Sequence, residues 1–328
     1  MKTKLCAAII GKNESGVIEK CLRSLIGFDE IYFTDTGSTD DTVEKVRRFT
    51  YKVSFRKWDN SFSNARNFNL KQIPRDAWVF SIDCDEWLPK GEVSKIKKVV
   101  ENAKCDYYLV ETFNQKNKGH HKRVLLYKNN VRWKGPAHNY LPVRQFCDTN
   151  IRVFHVHSPT HQVNPKRTLN ILLGIKKPSP RELYLLGREW VGFGKWKKAL
   201  DCFEKYAKVC DPGQEAAEVF QYAGHCLFQL GKTSEAQDAE LMAIKLNPNY
   251  KEAFIAMAAF SNPREMFTWA RYGEAASNFG VLNIDGNQEQ RLVELKRISV
   301  LALQGKKPED IFKGRIYQDL LKKEQKNV

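Results

Sequence analysis

Apolar runs and helically spaced stretches take turns along the first ninety residues. Residues 4–10 form a compact apolar run ending at Gly11, and Val17, Ile18, Cys21, Leu22 and Leu25 then recur at the steps of one helix face. Residues 29–34 predict a second strand, and 42–49 a second helix that Ser38, Thr39 or Asp40 could cap. A third strand is expected over 51–58, a third helix over 61–72 and a buried fourth strand over 78–82. Strands alternating with helices at this pace imply an α/β domain on a mostly parallel sheet. In such sheets ligands bind at the carboxyl ends of the strands, and the polar motifs of this chain fall at such ends.

From about Pro178 the pattern turns helical and repeats itself. Gly187 matches Gly224, Gly194-Lys195 matches Gly231-Lys232, and Ala199 matches Ala236, each offset by 37 residues. Small residues there let paired helices approach closely, with Trp190, Phe203 and Leu227 filling between them. The pattern resembles tetratricopeptide repeats, whose usual period is about 34 residues. Two units are clear, "LNPNY" at 246–250 reads as a stop and restart, and a third unit from Glu252 is degraded. Further helices are expected over 288–304 and 308–323, with a frayed end beyond. The expected division is an α/β domain over 1–175 and an all-α repeat domain over 176–328. Such repeats hold partners or form homodimers.

Composition bounds the class. With 328 residues, 42% hydrophobic and 12% aromatic, the chain can bury two domain cores. No apolar stretch approaches the roughly 20 residues of a membrane helix, and the N-terminal run is too short and wrongly flanked for a secretory signal, so a cytoplasmic protein is expected. Eight scattered cysteines without a CxxC pair are read as reduced, mostly buried thiols. The formal charge of +16 is concentrated: residues 112–181 hold fourteen Lys and Arg against one acid, Asp148, a segment charge of +13. That is either a solvated basic face or a surface for a polyanion.

The candidate chemistry begins at "FSIDCDEWLP", residues 80–89, where Asp83, Asp85 and Glu86 fall within four positions after the fourth strand. Carboxylates this close need a cation, a proton or open water. Asp83 and Asp85, two apart at a strand end, fit a hard divalent cation, Mg²⁺ or Mn²⁺, which takes one or two carboxylates and fills its shell with water and phosphate oxygens. Asp35, in "TDTGSTDDT", lies where a strand meets a Gly-Ser turn, a place from which it could bond a nucleoside, although the same pattern serves ordinary turn and cap chemistry.

Taken together, "CAAIIGKNES", "DEIYFTDTGSTDDT", "SFSNARNFNL" and "WVFSIDCDEWL" resemble, in order and spacing, family 2 glycosyltransferases of the GT-A fold over about residues 1–140. The resemblance implies a nucleotide-sugar donor, a UDP-sugar first, met by Ile10 and Asn13 after the first strand. It places Asp35 at the nucleoside, Arg66 at the base or diphosphate, Asp83 near the ribose and Asp85 on the metal. Many members carry a second acid where this chain has Thr36.

An inverting transferase also needs a base for the acceptor proton. The resemblance implies a G-x-H-E-like element, here "WKGPAHNYL", in which His138 is followed by Asn139, an amide that cannot take a proton. The remaining candidates are His138, Asp148, Glu86 and Glu111. In "VFHVHSPTH" His155 and His157 share a strand face and are expected to complete the metal shell, with Lys166 and Arg167 suited to the donor phosphates or the acceptor. The basic segment, with Lys116, Lys118, Lys122, Arg123, Arg132 and Lys134, should face a polyanionic acceptor. DNA with a hydroxymethylated base leads, and a peptide, protein or lipopolysaccharide core follows. An inactive transferase-like adaptor that binds nucleic acid is the alternative of another class.

Overall fold

The computed structural model describes residues 3–114, 120–155, 165–209, 214–277, 283–284 and 287–306. The chain divides into two compact units, residues 1–167 and 168–328.

In the first unit, β1 (Leu5–Gly11), β2 (Glu30–Asp35), β3 (Val53–Phe55) and β4 (Trp78–Ser81) alternate with α1 (Ile18–Ser24), α2 (Thr42–Arg47) and α3 (Phe62–Leu70). Then come β5 (Glu86–Trp87), α4 (Glu92–Glu101), β6 (Tyr107–Asn114), β7 (His120–Lys128) and β8 (Cys147–His155). The eight strands form one sheet in the order β3-β2-β1-β4-β7-β6-β8-β5. The half built from the alternating region is parallel, as its strand–helix rhythm requires. Beyond β4 the sheet is mixed, because β7 runs antiparallel to β4 and to β6, β8 parallel to β6, and β5 antiparallel to β8. The expected GT-A-type α/β architecture is therefore present with a mixed sheet.

Alternation along the strands feeds two cores. One face buries Ile9, Phe33 and Phe80 with Ile18 and Leu22 of α1 and Ile96 of α4. The other buries Cys6, Ala8 and Val79 with Leu70 of α3, Tyr127 and Trp133. Gly11, the last residue of β1, is a close approach: a Cβ there would meet Cys84 Sγ at 2.7 Å and the Phe33 ring at 3.0 Å. The missing side chain lets the acidic turn after β4 lie against the end of β1.

The reduced-thiol expectation is corrected at one pair. Cys105 and Cys147 form a disulfide, their Cα atoms 6.1 Å apart and 42 residues apart in sequence. Parallel pairing of β6 with β8 puts Tyr108 opposite Cys147 and so brings the two thiols together, a proximity that local spacing cannot show. Cys6, Cys21, Cys84, Cys202 and Cys226 are free and buried.

After α5 (Arg167–Leu173), the second unit stacks helical hairpins: α6 (Pro180–Gly192) with α7 (Trp196–Ala207), α8 (Gln214–Gln229) with α9 (Thr233–Leu246), and α10 (Lys251–Phe260) with α11 (Pro263–Ala275). The two-residue β9 (Asn283–Ile284) and α12 (Gln288–Leu303) follow. The 37-residue repeat has a packing cause. A Cβ on Gly187 would come within 2.3 Å of the Phe203 ring, and one on Gly224 within 2.6 Å of Glu240 Oε1. Gly194 and Gly231 adopt positive φ (64° and 78°) where their helices turn. The third hairpin, degraded in sequence, is complete in structure, and the helix expected over 308–323 lies outside the described residues. None of the described helices is long and apolar enough to cross a membrane.

Candidate active site

Behind β4 the chain turns through Asp83, Cys84 and Asp85 into β5. Cys84, pressed against Gly11, donates its thiol to the Ile10 carbonyl at 3.2 Å. Glu86, only 3% exposed, accepts the Asp83 backbone N–H at 3.0 Å and pairs with Arg123 of β7. Arg123 also lies 3.6 Å from Asp83 and donates to the Thr112 hydroxyl at 3.2 Å. From α3, Arg66 donates to Asp83 at 2.5 Å while its guanidinium lies over the Trp133 ring at 5.0 Å. Asp85 faces His155, Oδ2 to Nε2 2.9 Å. The three carboxylates thus meet two arginines and one imidazole.

These contacts set the charges. Burial works against a charge on Asp83, but Arg66 and Arg123 outweigh it and hold the carboxyl at about 2. Burial, then the fields of Asp83 and Asp85, push Glu86 up, with Arg123 opposing. The hydrogen bond to Asp85 raises His155. Burial, then Arg123 and His155, push His121 down to about 4, so it is neutral at working pH. Glu14, in the loop after β1, is raised to about 7 by burial and then by Asp85 and Asp83.

Asp35, 4% exposed, accepts the backbone N–H groups of Gly37 and Ser38, each at 3.0 Å. Asn13 adopts φ 56°; its side-chain carbonyl accepts the Thr39 N–H at 2.7 Å, and its own N–H donates to the Ser38 hydroxyl at 2.9 Å. The loops after β1 and β2 are thereby tied together, with Gly11 opposite Asp35 in register. The loop carrying His138 leans on α3, since Phe62 donates to the Pro136 carbonyl at 2.9 Å and Asn67 bonds the Trp133 backbone in both directions. His138 itself is exposed at φ 44°. Arg167 stacks on Phe62 at 5.1 Å, and Lys166 beside it is exposed.

Other candidates fall elsewhere. Asp148 pairs with Lys122 and lies seven residues before His155 on β8, roughly 23 Å along an extended strand. Glu111 lies 3.6 Å from His120. Arg132 donates to the Asn129 carbonyl and side chain and to the Val131 carbonyl, and Lys134 is exposed. Arg123 stands inside the acidic cluster, because it lies on the β7 position that reaches Glu86. Lys116, Lys118 and His157 lie outside the described residues. Sequence reasoning missed Glu14 and His121. For Glu14 the available signal was its place directly after the first strand, inside "GKNES".

Residues 6–158 match the model of glycosyl transferase family 2. The N-terminal unit is a family 2 glycosyltransferase domain. The SPbeta prophage-derived glycosyltransferase SunS of Bacillus subtilis (strain 168) is 29% identical over 225 residues, 61% of this chain and 52% of SunS. The chain thus spans about half the length of that relative. The lipopolysaccharide core biosynthesis glycosyltransferase LpsC of Rhizobium meliloti (strain 1021) is 34% identical over 95 residues, 27% of this chain and 34% of LpsC. Among solved structures, S. aureus TarS 1-349 in complex with UDP-GlcNAc aligns over 93% of both chains at 12% identity and TM-score 0.40.

A divalent cation suits the donor set of this family 2 domain. Asp85 and His155 present a carboxylate oxygen and an imidazole nitrogen 2.9 Å apart, and both side chains are partly exposed, 35% and 23%. No group of three His, Cys, Asp or Glu that could hold a metal occurs among the described residues. One carboxylate with water and phosphate oxygens completing the shell matches the habit of Mg²⁺ and Mn²⁺, to which His155 would add a nitrogen donor.

Proposed function

We propose that the chain is a metal-dependent glycosyltransferase that moves a sugar from a nucleoside-diphosphate sugar, a UDP-sugar first, to an acceptor hydroxyl. The observation that supports it is the division of labour in the acidic turn. Arg66 and Arg123 take the charge of Asp83 and Glu86, so the turn holds its shape, and Asp85 and His155, hydrogen-bonded to each other at 2.9 Å, would exchange that bond for a shared cation. When bound there, the cation offsets the charge gathering on the leaving diphosphate. Asp83 with Arg66 would orient the ribose and diphosphate, the tied loops of Asn13 and Asp35 would close on the nucleoside, and Lys166 and Arg167 would face phosphate oxygens.

The acceptor follows less directly from charge than the basic segment suggests. Lys122 is bound to Asp148 and Arg123 to Glu86, which weakens the case for hydroxymethylated DNA. LpsC is by name an enzyme of lipopolysaccharide core synthesis, and that supports a lipopolysaccharide core as acceptor beside a peptide.

Calorimetry of UDP binding with and without Mn²⁺ tests the donor reading. The wild-type chain should bind UDP more tightly with Mn²⁺, and Asp85→Ala should lose that gain while its circular dichroism melt is unchanged. Transfer of labelled sugar onto core saccharide, peptide and hydroxymethylated duplex DNA in parallel then names the acceptor. No binding of any nucleotide, with or without metal, would turn the reading to an inactive adaptor.

A further inference from the structure

Trp87, Phe154, Phe113 and His120 form one row across β5, β8, β6 and β7, each the direct cross-strand partner of the next. Ring centroids are 5.4 Å apart for Trp87 and Phe154, 5.4 Å for Phe154 and Phe113, and 5.6 Å for Phe113 and His120, with interplanar angles of 28°, 22° and 28°. Lys20 of α1 covers the outer end, its Nζ 4.1 Å from the Trp87 ring centre. All four rings are half-buried. Successive side chains on a strand point to opposite faces, so Glu86 beside Trp87 and His155 beside Phe154 stand on the other side of the sheet. Those two are themselves cross-strand partners, and they carry the contacts to Arg123 and Asp85.

β5 is two residues long, lies at the sheet edge and pairs, among the described residues, with β8 alone. Among the described residues the β8 ladder runs to His155. An edge pairing only two residues long opens locally at little cost, whereas a ligating side chain must be held within about 0.5 Å. Stacked rings add directional contact beyond the area they bury. Phe154, gripped on both sides, cannot shift without breaking two stacks at once.

We infer that the Trp87–Phe154–Phe113 stack is a positioning element for the cation site, holding His155 against Asp85 from the opposite face of the sheet. The inference rests on the cation reading of Asp85 and His155. Phe154 acts through the strand and touches neither donor nor acceptor.

Mn²⁺ titration followed by the electron paramagnetic resonance of the free ion, with UDP present, tests it. Phe154→Leu should weaken Mn²⁺ binding about tenfold, the scale on which groups that orient a metal ligand act, and leave metal-free UDP affinity unchanged. Phe154→Tyr, which keeps the ring, should restore wild-type Mn²⁺ affinity. Ile151→Val, a cavity at a fully buried position on the same strand, should lower stability and not Mn²⁺ affinity. Equal Mn²⁺ affinity in Phe154→Leu and wild type, or equal weakening by Ile151→Val, overturns the inference while the cation reading stands. A wild-type chain that binds no Mn²⁺ in the presence of UDP removes the cation reading and the inference with it.

Discussion

Arg123 shows what a single residue does that its local sequence hides. Within "HHKRV" it reads as one more cation of a basic segment, yet its guanidinium is the counter-charge of a carboxylate with only 4% of its side chain exposed. Removing one partner of a buried pair leaves an uncompensated charge, so Arg123→Met should cost about 3–5 kcal/mol in urea unfolding. The double variant with Glu86→Leu should recover most of that, because an apolar pair can replace a buried ion pair at little cost; an Arg123→Met chain as stable as wild type would mean that Glu86 has found water. Glu240 poses the opposite case. Counting 37 residues back lands on Phe203, and both side chains face the repeat's glycine. Glu240 is fully buried with neither carboxylate oxygen hydrogen-bonded, and burial raises its pKa well above 4.5. The folded state keeps the proton where the unfolded state gives it up, so this group's stability is full below about 4.5 and falls as pH rises above it. Glu240→Met should flatten that decline and add about 1–3 kcal/mol at neutral pH, the usual cost of an unpaired buried polar group. A decline with pH that Glu240→Met leaves intact would assign it to another group.

At the scale of elements, the alternating half of the sheet was legible because each strand and helix carries its own period, and α1, β2, α2, α3 and β4 fall within a few residues of their expected bounds. The mixed half was not. β5 is too short to show a period, and the pairing of β6 with β8 joins residues some forty apart, which no local pattern encodes. For the same reason the acidic turn of the candidate site could be read, since its carboxylates are adjacent in sequence, while the places of Arg123 and His121 on β7 could not. The Cys105–Cys147 bond belongs to this unread half. It closes a loop of 42 residues, which on loop entropy alone stabilises the folded chain by about 4 kcal/mol. Urea unfolding of the first unit with and without reductant, beside the Cys105→Ser, Cys147→Ser double variant, should show a loss of that order in both. A reductant effect that persists in the double variant would point to something other than this bond.

For the molecule as a whole, a net charge of +16 governs what it meets more than how it folds. Four of the fourteen cations of the basic segment are already answered from within. Lys122 binds Asp148, Arg123 binds Glu86, Arg152 lies 3.6 Å from Glu92, and Arg181 binds Glu215. Charges held in this way must give up an internal partner before they can neutralise a phosphate, and on duplex DNA each phosphate contact contributes about −0.9 to the slope of log K against log salt. Four contacts from the segment would give a slope of about −3.6. The internal pairing predicts a shallower one. Fluorescence anisotropy of a labelled duplex over a range of NaCl concentrations measures it directly, and Lys122→Gln should leave the slope unchanged because that lysine is committed to Asp148. A slope of −3.6 or steeper, reduced by about one in Lys122→Gln, would show that the ion pairs open toward phosphate and would bring DNA back to the front as acceptor.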